Sequence, residues 1–171
     1  MRAPGPASRV RAVLRIAPAL LLLSSAQARA EKAVFVVRHA EKQSPESSAP
    51  EVPLSHGGTA RAERLAAMLR DAGINAIYAT ETVRARETAA PLARAVGRPV
   101  QAYSAVPALA DTLRADPSAV ALVVGHSNTV PELLAALGVK QKVTVTDPEY
   151  DNLFVVIPQA SGDPVLLPLK Y

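Results

Sequence analysis

The chain contains no cysteine, which excludes disulfides, thiolate metal centres and a cysteine-borne lipid anchor. It also lacks a run long enough to cross a bilayer near its N-terminus, where the uninterrupted apolar stretch at 16–23 falls far short of the roughly 20 residues a span needs. Internal repeats are missing, and only a Ser/Pro stretch at 43–53 has biased composition. With 171 residues, 49% hydrophobic and 20% charged, the chain is sized for one compact domain with an ordinary core, and its composition is not that of a disordered segment.

The formal charge of +4 is unevenly placed. Arg2, Arg9, Arg11 and Arg15 precede or flank the apolar stretch, and Ala28-Arg29-Ala30 follows it as a small-x-small cleavage site. This pattern predicts a signal peptide over residues 1–30, cut after Ala30 with Ala26 as the competing site, and hence a periplasmic or secreted protein with no membrane span after processing. Its removal takes away Arg2, Arg9, Arg11, Arg15 and Arg29 and no acids, so 19 basic and 15 acidic residues become 14 and 15, a net charge of −1. The basic character belongs to the targeting segment and gives no reason to expect nucleic-acid binding.

From residue 33 the sequence alternates between two periods. Residues 33–37 form a continuous apolar run rich in β-branched residues, suited to a strand covered on both faces. The stretch S-P-E-S-S-A-P-E-V-P reads as an exposed loop, and Ser55 as the N-cap of a helix over 57–71 with Gly73 as its stop. Strands are expected at 74–78, 100–103, 119–124, 153–157 and 165–167, and helices at 83–96, 107–115 and 129–137. Such alternation implies an α/β three-layer sandwich, with a mostly parallel central sheet and helices on both faces. Ligand sites in these sheets lie beyond the carboxyl ends of the strands. Arg38-His39, Thr80 and Gly125-His126-Ser127 occupy those positions, and Arg84 sits near the start of the following helix.

Two arginines and two histidines at one edge suggest an anion site, since guanidinium groups grip phosphate oxygens bidentately and imidazole attacks phosphorus or donates a proton. Helix N-termini would add backbone N–H donors to the same anion. The motifs fall in a familiar order: Val36-Val37-Arg38-His39-Ala40-Glu41, Leu54-Ser55-His56-Gly57-Gly58, Thr80-Glu81-Thr82-Val83-Arg84-Ala85-Arg86-Glu87-Thr88-Ala89 and Val123-Val124-Gly125-His126. Together they resemble the histidine phosphatase superfamily, also called phosphoglycerate mutase-like, across about 34–156. The resemblance implies a phosphoglycerate mutase-like fold and metal-independent hydrolysis of phosphomonoesters without a cofactor. It makes His39 the nucleophile that becomes phosphorylated, and gives Arg38, Arg84 and His126 the phosphoryl oxygens. Attack requires a neutral His39 whose other ring nitrogen donates to a backbone carbonyl.

Two departures stand out. Ala40 replaces the glycine of the family's R-H-G, a change that R-H-A members tolerate. The glutamate that protonates the leaving group in phosphoglycerate mutases has no counterpart, since only Asp111 and Asp116 fall between Gly97 and Ser118. Glu41 and Asp111 are the candidates for the acid, and the short phosphohistidine phosphatases of the family resemble this chain in lacking the usual glutamate. The expected partner is a small phosphorylated substrate, a phosphosugar or a phosphohistidine.

Other readings compete with this one. Gly125-His126-Ser127-Asn128-Thr129 imitates a G-x-S-x-G nucleophile elbow, but no histidine follows Ser127 to complete that triad. A zinc site from His39, Glu41 and His126 is conceivable from ligand types, yet the H-x-E deaminase signature also needs P-C-x-x-C. A non-catalytic phosphate-binding module and mutase-type transfer stay open as alternatives. His56 is expected in an exposed loop and Arg86 in a surface ion pair, while Glu149-Tyr150-Asp151-Asn152 fits either a side wall of the pocket or a turn.

Overall fold

The computed structural model describes residues 32–171; the expected signal peptide and its cleavage site lie outside the described residues. Strands and helices alternate as β1 (Ala33–Arg38), α1 (His56–Leu69), β2 (Ala76–Ala79), α2 (Val83–Val96), β3 (Val100–Ala102), α3 (Val106–Ala115), β4 (Val120–Gly125) and α4 (Thr129–Ala136), followed by β5 (Asn152–Ile157) and β6 (Val165–Lys170). The strands form one sheet in the order β3-β2-β4-β1-β5-β6. Pairs β2–β3, β2–β4 and β1–β4 are parallel, and pairs β1–β5 and β5–β6 are antiparallel. Only β5 therefore runs against the rest, so the sheet is mostly parallel, as expected, and mixed only along β5. No helix lies between β5 and β6, so there the chain turns back to pair antiparallel instead of crossing over.

Alternation along the strands divides the core in two. Leu122 and Val124 of β4 face α1 and α2, where they meet Leu65, Leu69, Ala85, Ala89 and Leu92. Ala121 and Val123 face α3 and α4, where Leu109, Leu113, Val130 and Leu133 pack. β4 is buried at all six positions, which accounts for its unbroken apolar run. The result is three layers, helices on both faces of the sheet.

Local signals set the helix ends. The Ser55 hydroxyl accepts from Gly58 N at 3.0 Å, the N-cap bond its side chain predicts. α1 stops two residues earlier than expected, with Arg70 N donating to Ala66 O, and Gly73 supplies a φ of +74° in the turn that follows. α2 starts at the Thr82 cap, runs through Pro91 and ends at Gly97 in the left-handed region. No helix among the described residues is long and apolar enough to cross a membrane.

Candidate active site

β2, β4 and β1 are adjacent and parallel, so their carboxyl ends share one edge. Arg38 ends β1 opposite Gly125, and His39 N continues the ladder to Gly125 O at 2.9 Å. Thr80 follows β2 and bonds back to Val124 O at 3.3 Å. Gly125 is required there, because a Cβ would stand 2.6 Å from Thr129 Oγ1 and 2.9 Å from Tyr103 Oη. His126 leaves β4 beside His39, with ring centroids 5.1 Å apart.

His39 is 3% exposed. Its Nδ1 lies 2.8 Å from Ala40 O, a carbonyl that only accepts, so Nδ1 carries the proton and Nε2 keeps its lone pair. Burial, and then the charges of His126, Arg84 and Arg38, push its pKa down to about 3, while the Ala40 bond works the other way. His126 is held down to about 4 by burial and by Arg84 and Arg38. Its Nε2 is 2.8 Å from Thr80 Oγ1. Both rings are neutral at pH 7.

Arg38 and Arg84 are 4% and 7% exposed. Arg84 Nη1 donates to Ala49 O at 2.9 Å. Arg38 Nη1 donates to Thr146 O and Asp147 O at 2.9 and 2.7 Å, and its Nη2 to Asp147 Oδ1 at 3.1 Å. The Nε of each arginine is buried without a partner. An unbonded buried guanidinium N–H is costly unless something fills the gap. Guanidinium N–H donors and a neutral imidazole are groups whose chemistry suits an oxyanion.

Neither candidate acid is placed as the sequence suggested. Glu41 follows His39 on the same loop, but its carboxylate is gripped by Arg61 of α1, at 2.7 Å to Nη2 and 2.9 Å to Nε. Burial favours its protonation, yet Arg61 outweighs burial and keeps Glu41 below the usual carboxylate range, ionised with no proton to give. Asp111 is farther astray: it pairs with Arg114 on α3, which also bonds Ala136 O at the end of α4 and lies beside Lys32 ahead of β1. These mark the sheet edge opposite His39. Helical period places Asp111 on a solvated face, a fact its sequence neighbourhood did not reveal.

His56 is exposed and opens α1, and Arg86 is exposed with no ion-pair partner among the described residues. Among the described residues no group of three or more His, Asp or Glu is placed to hold a metal ion. Thr88 and Asp147 escaped the sequence reading, which placed Thr80 at this edge without a partner and offered the stretch holding Tyr150 as either a side wall or a turn. Thr88 Oγ1 accepts from Ala40 N at 2.9 Å and donates to Arg84 O, tying the His39 loop to α2. Thr80 orients His126, and both threonines lie inside the quoted motif. Asp147 and Tyr150 meet Arg38 across more than a hundred residues, with the Tyr150 ring 4.2 Å from its Cζ. Tyr150 thus lies on the side-wall reading of 149–152, while no local pattern marks Asp147.

This sheet, with its four helices and its histidine–arginine edge, has the phosphoglycerate mutase-like α/β fold. The model of the histidine phosphatase superfamily (branch 1) matches residues 34–106, and over that segment the chain is similar to the superfamily. No curated protein matches the chain. Among solved structures, the protein histidine phosphatase SixA complexed with tungstate is similar over 81% of this chain and 96% of its own, at 19% identity and a TM-score of 0.67. A protein from Agrobacterium tumefaciens assigned as a SixA phosphohistidine phosphatase is similar over 80% and 97%, at 19% identity and a TM-score of 0.61. A mycobacterial glucosyl-3-phosphoglycerate phosphatase bound to VO3 gives 82% and 98%, 14% identity and 0.61. At these identities the likeness is one of fold.

Proposed function

We propose that the protein is a phosphatase that hydrolyses phosphomonoesters through a phosphohistidine on His39. The observation that carries this is the pair of unpartnered, buried guanidinium N–H groups of Arg38 and Arg84 flanking a histidine kept neutral by its surroundings. His39 Nε2 attacks phosphorus as the bond to the leaving oxygen breaks, and the two guanidiniums and the neighbouring His126 offset charge on the phosphoryl oxygens. Water then attacks the phosphohistidine, inorganic phosphate leaves, and His39 regains its lone pair. Two fold relatives are complexed with tungstate and with VO3, which supports an oxyanion as a ligand of this fold.

Because Glu41 is held by Arg61 and Asp111 lies at the far edge, no nominated carboxylate protonates an alkoxide. Substrates whose leaving group needs no proton from the protein therefore react fastest: aryl phosphates, and phosphohistidine with its imidazole already protonated by solvent, ahead of alkyl phosphates. The same feature favours one second reading, a binding module that keeps these oxyanion-binding groups and has lost turnover. Hydrolysis of an aryl phosphate separates the two. Turnover with an acid-labile, base-stable phosphoenzyme that disappears in His39→Ala supports the phosphatase. Phosphate binding with no turnover supports the module, and labelling that survives His39→Ala removes the assigned nucleophile.

Export is part of the same proposal, on the strength of the arginine-flanked apolar stretch and Ala28-Arg29-Ala30. N-terminal sequencing of protein from the periplasmic fraction is expected to begin at Glu31. Recovery of intact Met1 from the cytosol would refute it and favour a cytosolic phosphohistidine or sugar-phosphate phosphatase.

A further inference from the structure

We propose that residues 146–150 form a strap that positions Arg38, and that Asp147 within it is a resident anion competing with the phosphoryl group for that guanidinium. The identity of the incoming anion rests on the phosphatase reading above.

A guanidinium has five N–H groups. Thr146 O and Asp147 O take those of Nη1, while Asp147 Oδ1 at 3.1 Å and, more weakly, Tyr150 Oη at 3.5 Å meet Nη2. The Tyr150 ring covers one guanidinium face and lies 6.0 Å from the His39 ring, so the strap borders the nucleophile as well. What remains is Nε, buried and unpartnered. An arginine at the end of a strand would otherwise sample many rotamers; here two backbone carbonyls and an aromatic face fix it with one donor free. The strap is itself closed by Thr146 N and Oγ1, which donate to Glu149 Oε2 at 2.8 and 2.7 Å, and by Glu149 N, which donates to Thr146 O at 3.1 Å.

Asp147 differs from the rest of the strap. Its side chain is 90% exposed where that of Arg38 is 5% exposed, so the carboxylate reaches in from solvent and can withdraw without disturbing the carbonyls. It offsets part of the charge that would hold a phosphate dianion. The strap thus orients the guanidinium through its backbone and Tyr150, and tempers it through Asp147, which favours release of phosphate.

Isothermal calorimetry with inorganic phosphate tests this on the full protein. Asp147→Asn keeps an oxygen acceptor and removes the charge; it should bind phosphate about two- to fivefold tighter, the range an exposed ion pair allows, with KM for an aryl phosphate falling in step. Tyr150→Ala should lower kcat several-fold while its urea midpoint stays near wild type, and Tyr150→Phe should restore most of the loss. Phosphate affinity unchanged or weakened in Asp147→Asn overturns the competitor role, and Tyr150→Phe as damaged as Tyr150→Ala overturns the positioning role. If Arg38→Ala binds phosphate as wild type does, the anion site itself is misassigned, a failure of the phosphatase reading that these variants distinguish from failure of the strap.

Discussion

The loop that carries His39, the proposed nucleophile, is tied to α2 by one hydroxyl. Thr88 Oγ1 is the partner of Ala40 N, the amide next to His39, and nothing else among the described residues bonds that amide. Thr88→Val conserves volume and orphans a buried N–H, which costs about 1–3 kcal/mol in urea denaturation. Because the freed amide adjoins the carbonyl that sets the His39 tautomer, kcat for an aryl phosphate should fall by more than KM rises. A stability loss with unchanged kcat would show that Thr88 serves the fold alone. Glu41 teaches the converse. Its nearness to His39 in sequence suggested an acid, and its real partner, Arg61, is a helix away. Sequence distance located the group but not its charge state.

Elements meet at this site more tightly than their sequences show. The first turn of α1 presses on the His39 loop: Ser55 N donates to Glu41 O at 2.8 Å, and a Cβ on Gly58 would stand 2.1 Å from that same oxygen. At Gly57, one position earlier, the nearest atom would be Ser55 Oγ at 3.7 Å. Alanine usually improves a helix over glycine by up to about 1 kcal/mol. Gly57→Ala should therefore be neutral or slightly stabilising, whereas Gly58→Ala should lower both the thermal midpoint and kcat/KM; equal behaviour of the two would refute the contact. Strand and helix positions were legible because apolar period and caps are local, as at Ser55 and Gly97. Strand direction was not, since the β-branched run of β5 reads alike whichever way it enters the sheet, and only its pairing with β1 reverses it. The same limit applies to the site. Arg38, His39, Arg84 and His126 were recognisable from ordered motifs, while Asp147 and Tyr150 reach Arg38 only through folding.

At the scale of the molecule, burying neutral histidines links folding to pH. The folded pKa of His39, about 3, lies below its ordinary 6.5, so between those values the unfolded chain binds the extra proton. Stability is then complete above about pH 6.5 and declines on acidification, by up to about 1.4 kcal/mol per pH unit from His39. His126, lowered in the same sense but less enclosed, adds to the decline. Urea midpoints from pH 7 to pH 4 should drop more steeply for wild type than for His39→Gln; parallel curves would mean that His39 carries its proton in the folded state. The Ser/Pro loop at 43–53 carries a different consequence. Its Pro50 carbonyl takes the first amide of α2, and its Ala49 carbonyl takes Arg84 Nη1. Exchanging that segment would therefore loosen Arg84, the guanidinium that the proposed reaction places on a phosphoryl oxygen. A graft that retains both carbonyl contacts is expected to keep more turnover than one that breaks them.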